Sequence, residues 1–173
     1  MALLEGALLL ANFVVGASSC PAAPLTGDSV GAVAVGAPVS RVRARCEVVR
    51  DTTELDSEAM PQRVLYVRVG ADTITAEVAD GKVWRINVAD SRLQTADGIH
   101  VGSPLRALVS DARPSGLVGE GELYVVSAAR CGMSFLVDPT PSRLGRRWNA
   151  DALRSLSRRT VIKRILLTGC KAA

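Results

Sequence analysis

Alternation of apolar and polar residues is clearest between residues 64 and 88. Val64-Leu-Tyr-Val-Arg-Val69, Thr73-Ile-Thr-Ala-Glu-Val78 and Val83-Trp-Arg-Ile-Asn-Val88 each alternate with period two. That period belongs to strands with one buried and one wet face. Gly70-Ala-Asp72 separates the first two runs. Asp80-Gly81, a strong two-residue hairpin signal, separates the second and third. The pattern predicts a three-stranded antiparallel meander. Leu65, Val67, Val69, Ile74, Ala76, Val78, Trp84, Ile86 and Val88 form its expected buried face. Tyr66, Arg68, Thr73, Thr75, Glu77, Arg85 and Asn87 form the open one.

A second pattern occurs twice. Val35-Gly-Ala-Pro38 and Val101-Gly-Ser-Pro104 each follow a short apolar extended piece. Pro near the first turn of a helix loses no hydrogen bond, so a helix is expected after each. Val39, Val42 and Cys46 carry the first at helical spacing; Leu105, Leu108 and Val109 carry the second. Leu65-Tyr-Val67 is answered by Leu123-Tyr-Val125, and Arg85-Ile86 by Arg164-Ile165. The expected fold class is therefore α+β, with two tandem helix-plus-antiparallel-hairpin repeats forming a mostly antiparallel sheet with helices on one face. Repeat 1 spans 28–92 and repeat 2 spans 93–170, with a tail at 171–173. Glu47 to Gln62 reads as a polar loop with a weak strand at Glu47 to Arg50, and Asp111 to Gly121 as a Gly, Pro and Ser-rich loop. The second repeat adds a hairpin, Glu122 to Ser127 with Met133 to Val137, and a closing strand, Val161 to Leu167. Between them lies an insertion, 139–160, with a short helix capped by Asn149.

The N-terminus changes the picture of where the chain acts. Leu3 to Ala17 is nearly all apolar, shorter than the ~20 residues a spanning helix needs, and small residues follow at Ala17-Ser-Ser-Cys20. Residues 1–19 are expected to be a signal peptide, although Glu5 stands where a basic residue is usual, and 20–27 a linker. The expected location is outside the cytoplasm: periplasmic, membrane-tethered or secreted. Cys20 sits where a lipoprotein carries its lipid, so it is a candidate lipidation site. The four cysteines have no Cys-x-x-Cys pair and the only histidine is His100, so no metal site is expected. In an exported chain, disulfides are expected. Cys131 and Cys170 fall at facing ends of antiparallel neighbours and form the first candidate pair. Cys46 is then free or paired with Cys20.

Composition supplies a core but few aromatic anchors: 48% of residues are hydrophobic and 3% aromatic. The net charge of +4 is too small to argue for nucleic acid. The charge is concentrated in residues 143–164, where Arg143, Arg146, Arg147, Arg158 and Arg159 are candidate anion-binding residues. No catalytic constellation is found. His100 is isolated beside a helix start, and no serine lies in a nucleophile-elbow sequence. No cofactor is expected.

Gly36, Pro38, Tyr66, Asp80, Gly81 and Ile86, with Gly102, Pro104, Tyr124 and Ile165 in the second copy, give the chain a pattern that resembles the small units of the SmpA/OmlA outer-membrane lipoprotein family and of β-lactamase-inhibitor proteins. The stretch Thr95-Ala-Asp-Gly-Ile-His-Val-Gly-Ser-Pro-Leu105 also resembles uncharacterised exported bacterial proteins. The inhibitor resemblance implies a protein partner on the open sheet face. Here that face would present Tyr66, Arg68, Thr75, Glu77, Arg85, Asn87 and Tyr124. The expected function is a non-enzymatic exported or envelope protein that binds another protein. The alternatives are a membrane-surface or polyanion binder acting through 143–164, and a small enzyme with a site between the lobes.

Overall fold

A computed structural model describes residues 20–56, 58–111, 113–119, 121–138, 148–156 and 158–170. The expected signal peptide, 1–19, lies outside the described residues, as do Arg143, Arg146 and Arg147.

Ten strands dominate the regular structure of the described residues. A small ribbon pairs β1 (Ser29–Val30) with β2 (Val33–Ala34). The main sheet is antiparallel and eight-stranded, in the order β3-β4-β5-β6-β10-β9-β8-β7. Its strands are β3 (Val48–Leu55), β4 (Pro61–Val69), β5 (Asp72–Ala79), β6 (Lys82–Val88), β7 (Ser115–Gly119), β8 (Glu122–Val126), β9 (Met133–Asp138) and β10 (Val161–Leu167). Two four-stranded meanders, β3 to β6 and β7 to β10, meet at their last strands. That seam is short: Ile86, Asn87 and Val88 pair with Leu167, Leu166 and Ile165.

This overturns the expected α+β architecture of tandem helix-plus-hairpin repeats. The fold is β-rich. Its helices among the described residues are α1 (Val39–Arg45), α2 (Arg106–Val109) and α3 (Ala150–Arg154), of seven, four and five residues. Helices this short add little stability of their own. Two stretches expected as loops are strands instead, β3 and β7. β3 is polar because it is an edge, yet Val48, Val49, Thr52 and Thr53 suit extended backbone. β7 contains Gly116 because a Cβ there would lie 2.6 Å from Trp148 Cβ and 2.8 Å from Leu123 Cδ1. A glycine in a strand often marks such a close approach rather than a loop.

The expected meander is present as β4, β5 and β6. Its Asp80-Gly81 turn has φ of +50° and +72°, as a two-residue hairpin turn requires. The register shifts by one residue between β5 and β6, so Val78 faces Val83 and Trp84 is the bulged residue. Val83 is therefore buried in place of Trp84, which is 39% exposed.

One face of the sheet carries the core. Leu65, Val67, Ile74, Ile86, Phe135 and Ile165 pack there under Val42 of α1, Leu108 of α2 and Leu153 of α3. The N-terminal segment joins this cover. Residues 20–27, expected as a linker, are bound into the body: Leu25 is buried, and its N–H donates to the Gln94 carbonyl at 2.8 Å. Cys20 is buried beside Val69. Val64, Leu136 and Leu166 are buried yet stand outside the core cluster, on the opposite face, which no described helix covers.

Candidate functional site

The uncovered face dips where β3, β4, β5, β6 and β10 cross. The hollow holds about 390 Å³ and is lined by Glu54, Tyr66, Thr75, Glu77, Arg85, Asn87 and Arg164 among others. Cross-strand register explains the gathering. Arg50, Tyr66, Thr75, Asn87 and Leu166 form one row across the sheet, and Val64, Glu77 and Arg85 form the next. Residues in register on adjacent strands share a face.

Glu77 sits at the floor, 6% exposed. Arg85 Nε donates to both its oxygens, at 2.9 and 3.0 Å, and Asn87 Nδ2 donates at 2.6 Å. Arg85 also lies over the Trp84 ring, 4.5 Å from its centroid. The bulge at Trp84 thus gives the Arg85 guanidinium an aromatic platform. A buried carboxylate is tolerated because it is paired and hydrogen-bonded. On the wall, the Tyr66 hydroxyl donates to Glu54 at 2.7 Å. That bond, followed by burial, holds the phenol above its usual pKa, so Tyr66 remains a neutral donor. Arg164 makes no ion pair among the described residues and is exposed at the rim. The arrangement offers a fixed polar floor, hydroxyls from Tyr66, Thr73 and Thr75, and the Arg164 guanidinium at the rim.

Of the expected open-face residues, Tyr66, Thr75, Glu77, Arg85 and Asn87 come together in this hollow. Arg68 lies beside it and is tied to Glu47 at 2.9 Å. Tyr124 belongs to the other meander, opposite Leu117 and Leu136, with its hydroxyl 3.2 Å from Glu122. Glu54, Gln62 and Arg164 were not expected here. Glu54 fell in a stretch read as loop, and nothing local shows that β10 lies beside β6.

The described part of the basic region does not form one patch. Arg164 faces the hollow, whereas Arg158 lines a different depression of about 340 Å³ with Arg106, Arg154, Leu105, Leu153 and Leu156. Arg159 is exposed at the turn before β10. Arg154 is paired with Asp151 at 2.6 Å. His100 Nδ1 lies 2.8 Å from the Val101 carbonyl, and Ser103 Oγ accepts from the His100 N–H.

All four cysteines are in disulfides. Cys131–Cys170 joins the start of the β9 arm to the end of β10, with Cα atoms 5.2 Å apart. Cys20–Cys46 fastens the N-terminal segment to the end of α1, with Cα atoms 4.8 Å apart. Cys20, the candidate lipidation site, has its sulfur bonded to Cys46 here, which leaves no valence for a thioether. The pair fits an oxidising, exported environment. Among the described residues, no cluster of three or more metal-ligating side chains occurs, and no helix is long and apolar enough to cross a membrane.

Two charge clusters were not anticipated. Arg130, with its side chain 12% exposed, bonds to Asp97 at 2.6 Å and Asp111 at 2.6 Å. Asp97 also accepts from the Thr95 hydroxyl, and the two donors, Arg130 first, hold its carboxyl well below the usual range. The Thr95 to Leu108 stretch is thereby fastened to the approach to β7. Asp72 is buried against Arg92, which also holds Asp90 at 3.0 Å. Burial, then the Asp90 charge, raises the Asp72 pKa.

The fold is thus β-rich and disulfide-bonded. No known family profile matches the chain, and no curated protein matches it. The crystal structure of the uncharacterized protein yfeY from Escherichia coli is similar, with a TM-score of 0.61 and 17% identity, covering 85% of this chain and 100% of that one. At this identity the likeness is one of fold. The resemblance to the SmpA/OmlA and inhibitor-protein units rests on its residues alone.

Proposed function

We propose that this is an exported, non-enzymatic protein-binding module, and that the hollow on the uncovered sheet face receives a loop of its partner. The observation that carries the reading is Glu77: a buried carboxylate, fixed by Arg85 and Asn87, at the bottom of an otherwise uncovered concavity. A sheet face left open for stability alone gains nothing from burying a charge there. Arg164 at the rim favours a partner loop that brings a carboxylate. Aromatics are few, so affinity falls to Tyr66 and the arginines, residue types that dominate binding hot spots. Residues 1–19 serve as the signal peptide in this reading, and the two disulfides form after export.

Photo-crosslinking in an exporting host tests it. A photoreactive residue at position 75 is expected to capture a discrete protein partner, with the adduct lost in Tyr66→Ala and in Arg164→Glu. Adducts that are absent, or that persist in both variants, overturn the reading.

Membrane-surface or polyanion binding is the second reading, favoured by the depression that places Arg106 and Arg158 around Leu105, Leu153 and Leu156. Co-sedimentation with anionic vesicles at low salt, lost at high salt and in Arg106→Gln/Arg158→Gln, would support it.

A further inference from the structure

An open sheet ends in two edges, and each presents unpaired backbone groups that can accept another strand. The two edges here differ. At β7, Trp148 lies alongside, and the Gly116 N–H donates to its carbonyl at 2.7 Å. At β3, eight residues long, no described residue pairs with the outer side. The Arg68 N–H donates to the Glu47 carbonyl at 2.9 Å. Alternation along β4 from Arg68 turns Tyr66, Val64 and Gln62 toward β3, so their partners Arg50, Thr52 and Glu54 face β4 once the register has shifted between Val48 and Arg50, and the N–H and C=O of Asp51 and Thr53 face outward.

Within the edge sequence, Val48-Val-Arg-Asp-Thr-Thr-Glu-Leu55, one stretch complements its own reverse. With a two-fold axis through Thr52, Arg50 lies opposite Glu54 of a second copy, and Asp51 lies opposite Thr53. Val49 is the extra residue at the register shift between Val48 and Arg50, so the self-complementary stretch is Arg50 to Glu54. The outward groups of Asp51 and Thr53 exchange hydrogen bonds in this register. An axis at Asp51 would oppose two carboxylates, and one at Thr53 would set Asp51 against Leu55. Charges on an edge strand ordinarily keep other strands away. Here Arg50 and Glu54 carry opposite charges at positions that the axis through Thr52 exchanges, which favours a strand of this sequence.

We propose that β3 is a self-association edge, where two copies pair antiparallel about Thr52 and join their eight-stranded sheets into one. The interface is isologous, so each favourable pair occurs twice. Arg50 and Glu54 share the face of the hollow, so pairing sets two hollows side by side. The proposal stands independently of what the hollow binds.

Sedimentation velocity of the oxidised protein over a concentration series tests it. The wild type is expected to shift to a dimer as concentration rises. Arg50→Glu alone and Glu54→Arg alone set like charges opposite each other at two positions, and each is expected to weaken the dimer about tenfold or more. The double variant R50E/E54R is expected to restore it. Thr53→Pro removes an outward N–H and no bond within the chain, and is expected to be monomeric with an unchanged circular dichroism spectrum. A wild type that stays monomeric to millimolar concentration overturns the proposal. So does a dimer indifferent to the single swaps, whatever the behaviour of the proline variant.

Discussion

The two meanders share a strand order but not an outer surface. Across β3 to β6 the uncovered face is polar and interlocked: Tyr66 with Glu54, Glu77 with Arg85 and Asn87, Arg68 with Glu47. Across β7 to β10 the same face carries Leu117, Tyr124, Leu136 and Leu166, with Arg164 facing the first meander. The second meander spends its best-buried ion cluster elsewhere, on Arg130 fastening Asp97 and Asp111. One topology thus serves two purposes. The first half fixes polar groups where a partner could reach them, and the second fixes its own connections.

Removing the disulfides tests this division with the largest effects. They close spans of 26 and 39 residues, so chain entropy alone makes them nearly equal, about 3–4 kcal/mol each. Cys20 and Cys46 are buried while Cys131 and Cys170 are exposed. The Cys20→Ser/Cys46→Ser pair is therefore expected to cost more than Cys131→Ser/Cys170→Ser in urea unfolding, because two hydroxyls enter the core. Equal losses would mean that the first half gains nothing from the buried staple.

Ion clusters come next. Glu77→Ala leaves Arg85 and Asn87 without their acceptor, and Arg130→Ala leaves Asp97 and Asp111 without their donor. Each is expected to cost about 2 kcal/mol, below the range for fully buried pairs because one partner in each cluster reaches solvent. The two should differ in function. Glu77→Ala is expected to abolish crosslinking at position 75, whereas Arg130→Ala leaves it intact at a temperature where both are folded.

Backbone contact gives a smaller, sharper contrast within β7. Gly116→Ala is expected to destabilise by about 1–2 kcal/mol, since its Cβ would meet Trp148 and Leu123. Gly119→Ala, whose Cβ finds only Tyr124 Cε2 at 3.9 Å, is expected to change stability by less than about 0.5 kcal/mol.

The acid response is the smallest effect. Arg63, with Arg43, holds the Asp51 pKa at about 2. Its folded value lies below the unfolded one, so its stabilisation is complete above about pH 4 and is lost as pH falls toward about 2. Asp97 acts in the same direction in the second half. Asp72 acts oppositely, because protonating a carboxyl whose pKa is raised by burial relieves a cost. Urea midpoints between pH 7 and pH 2 should therefore fall, and fall less in Asp51→Asn.

Legibility in the sequence followed burial. The runs at 64 to 88 have one buried and one wet face, so their alternation survives as β4, β5 and β6. Cys131–Cys170 was legible because the ends of antiparallel neighbours meet. Edges were not legible. β3 is wet along much of its length and β7 is glycine-rich beneath Trp148, so both resemble loops in composition. The Trp84 bulge swaps its residue out of the core through pairing that no local pattern records. Half of the hollow's polar wall was visible as alternate positions, but Glu54 and Arg164 arrive by long-range pairing and were not.

Amide hydrogen exchange, measured with and without the crosslinked partner, tests the central claim most directly. The account predicts slowed exchange in β4, β5 and β6 around the hollow and at Arg164 in β10, with β8 and β9 unchanged. Slowing confined to β8 and β9, or to the depression between Arg106 and Arg158, would contradict it.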